Sequence, residues 1–124
     1  MANVKIFKEL KVWNKAHKLV LEIYRMTKNF PLDEKYALVQ QLRRAAVSIA
    51  SNIVEGFSRL SVKESLHFYS ISRGSLEETK YQLLIAKDLN YISDEAYEKI
   101  ISLCDEVGKM LNAWVQCQIK NSKT

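Results

Sequence analysis

Arg43-Arg44-Ala45-Ala46-Val47-Ser48-Ile49-Ala50-Ser51-Asn52-Ile53-Val54-Glu55-Gly56 is built of small and apolar residues, with charges only at its ends. Extended to both sides, it carries Val39, Leu42, Ala46, Ile49, Ala50, Ile53 and Phe57 at steps of three and four. That is the spacing of one helix face, whereas a half-buried strand would alternate at every second residue. The stretch predicts a helix over about 34–57, with Asp33 as its N-cap and Glu34 in its first turn.

The flanking sequence repeats the pattern. Val12, Ala16, Leu19, Val20, Ile23 and Tyr24 predict a helix over about 11–28, stopped by Asn29-Phe30-Pro31 because the residue before proline is pushed out of the helical region. Ser61 and Glu64 form a capping box that opens a third helix, over about 62–89, with Leu66, Tyr69, Leu76, Leu83, Ala86 and Leu89 among its buried candidates. Asn90-Tyr91-Ile92 reads as a turn, and Ser93 caps a fourth helix over about 94–118. Short connections make successive helices antiparallel neighbours. The expectation is a single domain over residues 1–124, an all-α, up-down-up-down four-helix bundle.

Composition agrees with this reading. Three glycines and one proline in 124 residues are too few for the turns of an all-β fold. No uncharged apolar run approaches the roughly 18 residues of a membrane span. The first eight residues, Met1 to Lys8, lack the apolar segment of a signal peptide, so a cytoplasmic location is expected. Cys104 and Cys117 fall on one helix, pointing in different directions and too far apart to bond, and read as inert packing thiols.

Two polar features stand out on this apolar plan. On the second helix Arg44, Ser48, Ser51 and Glu55 follow the helical period, with Asn52 beside them. Antiparallel pairing sets them against Ser75, Glu78 and Gln82 of the third helix, with Gln41 level with Glu78 and Arg44 within its reach. Buried polar groups need partners, so Gln41, Arg44, Ser48, Asn52, Glu55, Ser75 and Glu78 are expected to form an inter-helix network that fixes register; a functional site, such as a phosphate clamp or an oligomer contact, is the alternative. By the same rule Gly74 and Gly108 lie level, which predicts a close crossing of helices three and four, with a ligand or subunit approaching the backbone as the alternative.

The second feature is charge. The net charge is +5, and residues 1–30 alone carry seven basic and two acidic side chains. Lys11, Lys15 and Lys18 lie along one face of the first helix, with Lys8 extending the line and Arg25 farther along. These five are the candidate nucleic-acid contacts; the bland reading is a solvated lysine face.

Phe30-Pro31, Gln41 to Ile49, Asn52-Ile53, Glu55-Gly56 and Gly74-Ser75-Leu76-Glu77-Glu78 resemble the four-helix-bundle family named for open reading frames in intervening sequences of bacterial 23S ribosomal RNA genes (S23-type proteins). The resemblance runs from about Phe7 to Leu111, and Ser72 and Thr79 are more polar than it leads one to expect. It implies a ring-shaped homo-oligomer, a pentamer. A related protein, the accessory variability determinant of diversity-generating retroelements, implies partners of two kinds, nucleic acid and a reverse transcriptase. The family has no established activity, and its name records where the genes were found.

Surplus apolar residues point to assembly independently. Leu66, Phe68, Tyr69 and Ile71 span too wide an arc for one seam, and Phe7, Trp13 and Trp114 add large apolar groups near helix ends. Against catalysis, His17 and His67 have no clear acid or nucleophile constellation around them. Metal-independent ribonucleases with four to six residues between an arginine and a histidine are the nearest enzyme class, but seven residues separate Arg59 from His67. No catalytic residue, metal or cofactor is expected. The leading expectation is a non-enzymatic homo-oligomeric adaptor that binds RNA or DNA without sequence preference. A protein-binding scaffold and a nuclease stand behind it.

Overall fold

The structure is a computed structural model and describes residues 4–122. It is all-α, with four long helices and no strand among the described residues: α1 Lys11–Thr27, α2 Leu38–Ser58, α3 Val62–Asp88 and α4 Asp94–Ser122. Short 3-10 turns cover Phe7–Glu9 and Leu32–Glu34. None of the described helices is long and apolar enough to cross a membrane.

α2 packs most extensively on α3; α1 touches α2 and α4, and α3 touches α4. Leu19, Ile23, Leu42, Ile49, Ile53 and Leu83 are wholly buried, with Val107 and Leu111 joining them from α4. Each such aliphatic side chain contributes roughly 1.5–3 kcal/mol by leaving water. Tyr24, expected on the inner face of α1, is 39% exposed and stands at the rim instead.

Helix ends follow local chemistry, with one correction. Ser61 Oγ accepts the Glu64 amide at 3.2 Å, and Ser93 Oγ accepts the Ala96 amide at 3.0 Å, so both expected caps are present. α2 does not start at Glu34 under an Asp33 cap: Leu32–Glu34 is a 3-10 turn, and the helix begins at Leu38. Glu34 still serves that helix end, because its Oε1 accepts the Leu38 amide at 3.5 Å. Its Oε2 accepts the Tyr91 hydroxyl at 2.7 Å, and the Phe30 and Tyr91 rings lie 5.4 Å apart. The connection before α2 is thus tied to the turn before α4. That turn closes α3 with Asn90 in the left-handed region, at φ 63°. The Tyr91 and Asn90 amides bond back to the Ala86 and Lys87 carbonyls at 2.8 and 2.9 Å, which satisfies the last orphan acceptors.

The α2–α3 seam holds the polar residues. Ser72, fully buried, donates its hydroxyl to the Ile49 carbonyl at 2.8 Å. Thr79, also fully buried, turns its hydroxyl back to the Ser75 carbonyl at 2.8 Å. These bonds are why a serine and a threonine can stand where apolar residues were expected.

Gly74 and Gly108 do not form a close crossing. A Cβ on Gly74 would meet nothing within 4 Å, and one on Gly108 would meet only Leu76 Cδ2 at 3.3 Å. Gly74 faces outward from α3, so its lack of a side chain answers no neighbour within the chain. The tight glycine is Gly56, where a Cβ would stand 2.7 Å from Tyr69 Cδ1 and 2.9 Å from its Cζ.

Candidate nucleic-acid interface

The expected polar network exists in part. Ser48 and Ser75 hydroxyls meet at 2.8 Å, and Asn52 Nδ2 donates to the Ser48 carbonyl at 2.8 Å and its Oγ at 3.0 Å. Gln82 Nε2 donates to Glu78 Oε1 at 3.1 Å, while the buried Gln82 Oε1 has no partner among the described residues. Gln41 and Arg44 are outside this network: both are exposed, and Arg44 makes no ion pair with Glu78. Glu55 is also exposed and binds Arg59 at 2.6 Å on its own helix. Water satisfies these long polar side chains better than a narrow seam of serines could.

The basic row of α1 is less free than its spacing implied. Lys15 Nζ lies 2.6 Å from Glu106 Oε1 of α4, and the Glu106 carboxyl is held below its ordinary pKa of 4.5, chiefly by that bond. Arg25 is bound to Glu22 at 2.7 Å. Lys8, Lys11 and Lys18 are exposed and enter no ion pair among the described residues. The row therefore keeps three free cations out of five, interrupted at Lys15.

A denser basic site lies around the corner, where α1 ends and α2 begins. Tyr24, Lys35, Tyr36, Val39, Gln40, Arg43, Arg44, Val47 and Ser48 line an open groove of about 610 Å³. Three of its lining residues are basic and none is acidic. Arg43 is fixed there without a carboxylate. Its Nε donates to Thr27 Oγ1 at 2.9 Å, one Nη donates to the Tyr24 carbonyl at 3.3 Å, and its guanidinium lies 4.6 Å from the Tyr24 ring centre. Thr27 is oriented for this by donating its own hydroxyl to the Ile23 carbonyl at 2.7 Å. Neutral acceptors hold the arginine in place while leaving its full charge unbalanced. Lys35 stands 5.3 Å from the centre of the Tyr36 ring, which is 80% exposed.

The leading sequence reading placed Arg44 inside the bundle, with a phosphate clamp as its alternative, and passed over Lys35, Arg43 and the two tyrosines. The adjacent arginines were a visible signal. Their meeting with Tyr24 and Tyr36 depends on the path of residues 28–37, which periodicity does not predict.

Beside the groove, Phe7, Trp13 and His17 form a ridge of rings, with Phe7–Trp13 and Trp13–His17 centroids each 4.9 Å apart. This ridge borders a shallow apolar depression with Val20, Val47, Ala50 and Val54. The other histidine, His67, packs edge-on to Phe68 at 5.3 Å, and Arg59 covers the same ring at 4.4 Å. No group of three or more His, Cys, Asp or Glu among the described residues is arranged to hold a metal ion.

Comparison with known proteins agrees with this fold. A crystal structure from Bacteroides thetaiotaomicron VPI-5482, of a protein with unknown function from the S23 ribosomal protein family, is similar with a TM-score of 0.78 and 25% identity. The similarity covers 85% of this chain and 95% of that chain. No curated protein sequence matches. Residues 8–113, which include all of α1, α2 and α3 and most of α4, match the family model of the 23S rRNA-intervening sequence protein. The chain therefore belongs to the family of 23S rRNA-intervening sequence proteins.

Proposed function

We propose that this chain is the subunit of a non-enzymatic, ring-shaped homo-oligomer of up-down-up-down bundles that acts as an adaptor and holds nucleic acid on a basic surface. The observation that carries the nucleic-acid reading is the groove of Lys35, Arg43 and Arg44, which has no acidic lining residue. Cations already balanced by carboxylates add little to phosphate binding; these three are not so balanced. Lys8, Lys11 and Lys18 extend the positive surface along α1. Phosphate contacts of this kind carry no sequence information, so binding without base preference is expected.

The alternation of helix direction is supported by contacts across α2 and α3. Ser48 meets Ser75, Ile49 meets Ser72 and Gly56 meets Tyr69, so numbers rise on one helix as they fall on the other. Assembly is supported by apolar side chains left in water. Ile71, Tyr81 and Leu84 are 40%, 63% and 36% exposed on α3, and the ring ridge of Phe7 and Trp13 flanks a second apolar patch. A single subunit offers few free cations, and a ring would multiply them into useful affinity.

Retention on mixed-sequence RNA and DNA, measured across a salt series together with light scattering, tests the proposal. Binding should fall steeply with salt, and the mass should be several times the 14.4 kDa of one chain. A monomer removes the ring. No retention even at about 50 mM salt removes the nucleic-acid role, and an oligomer that fails to bind would be a protein-binding scaffold.

A further inference from the structure

The geometry points to the groove between α1 and α2 as a binding site for single-stranded nucleic acid, with phosphates on Arg43 and Arg44 and a base stacked on Tyr36. This rests on the nucleic-acid reading above and adds where the strand lies and which form of it is taken.

Three observations lead there. The groove is open and about 610 Å³ in volume, room enough for one or two nucleotides. Tyr36 is 80% exposed, and among the described residues its one aromatic-face contact is with the Lys35 ammonium, 5.3 Å from its ring centre. An exposed ring beside unbalanced cations is the arrangement by which proteins hold single strands, because every base has a face to stack while its phosphates meet positive charge. Paired bases are stacked on one another and cannot reach such a ring.

The two arginines divide the work. Arg43 is fixed by Thr27 and the Tyr24 carbonyl, so its charge is held in position before any ligand arrives. Arg44 is exposed and free of ion pairs among the described residues, so it can close on a phosphate. Val39 and Val47 give the groove an apolar floor for sugar and base edges. Nothing in this set selects one base over another. Phosphate and base face are common to RNA and DNA, so both should enter.

The experiment is fluorescence anisotropy of the full chain with labelled oligouridylate and oligothymidylate of about 12 nucleotides, within the span such sites cover, beside a duplex of equal length. Both single strands should bind more tightly than the duplex. Tyr36→Ala should weaken single-strand binding roughly five- to hundred-fold, as loss of one stacked base does, while Tyr36→Phe keeps it. Arg44→Ala should lower the salt slope by about one. Circular dichroism keeps misfolding apart from lost contact, and neither side chain is buried. Equal or tighter duplex binding, or a Tyr36→Ala chain that binds single strands as well as wild type, overturns this inference and leaves only phosphate binding by the basic surface standing. Wild-type protein that binds no strand overturns the wider reading as well.

Discussion

The ring of Tyr69 fills the space that a side chain on Gly56 would need, with Cδ1 2.7 Å and Cζ 2.9 Å from the position of a Cβ. Both residues are buried, and Tyr69 is only 2% exposed, so the ring has little room to withdraw. Gly56→Ala should therefore destabilise the protein by up to about 2 kcal/mol net, because an overpacking cost of about 1–3 kcal/mol outweighs the ~1 kcal/mol that alanine gains as a helix former. Gly74→Ala should do the opposite and stabilise by about 0.5–1 kcal/mol, since the added methyl meets nothing within 4 Å. Denaturant midpoints of the two variants check the pair, and shifts of the same sign would refute it.

The buried seam and the exposed arginine give a second contrast. Ser72→Ala removes the hydroxyl that donates to Ile49 at 2.8 Å and leaves a small gap, at a cost of about 0.5–1.5 kcal/mol. Arg44→Ala removes an exposed side chain with no ion pair among the described residues, and its melting temperature should stay within the equivalent of about 0.5 kcal/mol. A large loss at Arg44 would mean that it carries part of the seam after all.

How much of this was legible follows from the range of each interaction. Helix boundaries after serines were readable because Ser61 and Ser93 cap through residues three positions away. The apolar faces were readable from period alone, as Leu42, Ile49 and Ile53 show. The start of α2 was not. Asp33 had the right chemistry for a cap, but Glu34 is drawn to Tyr91, which is distant in sequence, and the turn tightens before the helix begins. The Gly74–Gly108 pairing failed because level residues touch only if both face the seam, and a glycine carries no hydropathy that shows its direction. The groove was hidden for a similar reason. Arg43 is placed by Thr27 and Tyr24 on another helix, and no local pattern encodes that meeting.

The bond between Lys15 and Glu106 makes a statement about acid. Bonding to Lys15 lowers the Glu106 pKa from its ordinary 4.5, so the folded state releases this proton more readily than the unfolded chain. Its contribution is present above the unfolded value and is lost as pH falls through the lower folded one. Carbon-detected NMR titration should find Glu106 among the most acidic glutamates, and Lys15→Gln should return it towards the ordinary range. Both side chains are well exposed, so the melting temperature should hardly move.

Cys104 and Cys117 should differ in reactivity although they share α4. Cys104 is fully buried, and burial pushes its thiol from 9.0 up to about 12, with the Lys80 ammonium pulling weakly the other way. Cys117 is half-buried near the helix end. Only thiolate attacks disulfide reagents, so the native protein should react at Cys117 alone, and both thiols should react in denaturant. The same shift sets a pH dependence. The folded thiol has the higher pKa, so its neutral form favours the native state fully below 9.0. That advantage is lost as pH rises towards 12, because the unfolded chain gives up its proton first. Unfolding at about pH 8 and about pH 10.5 should show wild type losing more stability over the interval than Cys104→Ala, which has no thiol to ionise. Equal losses in the two proteins, or native labelling at both cysteines, would show that Cys104 is reached by water.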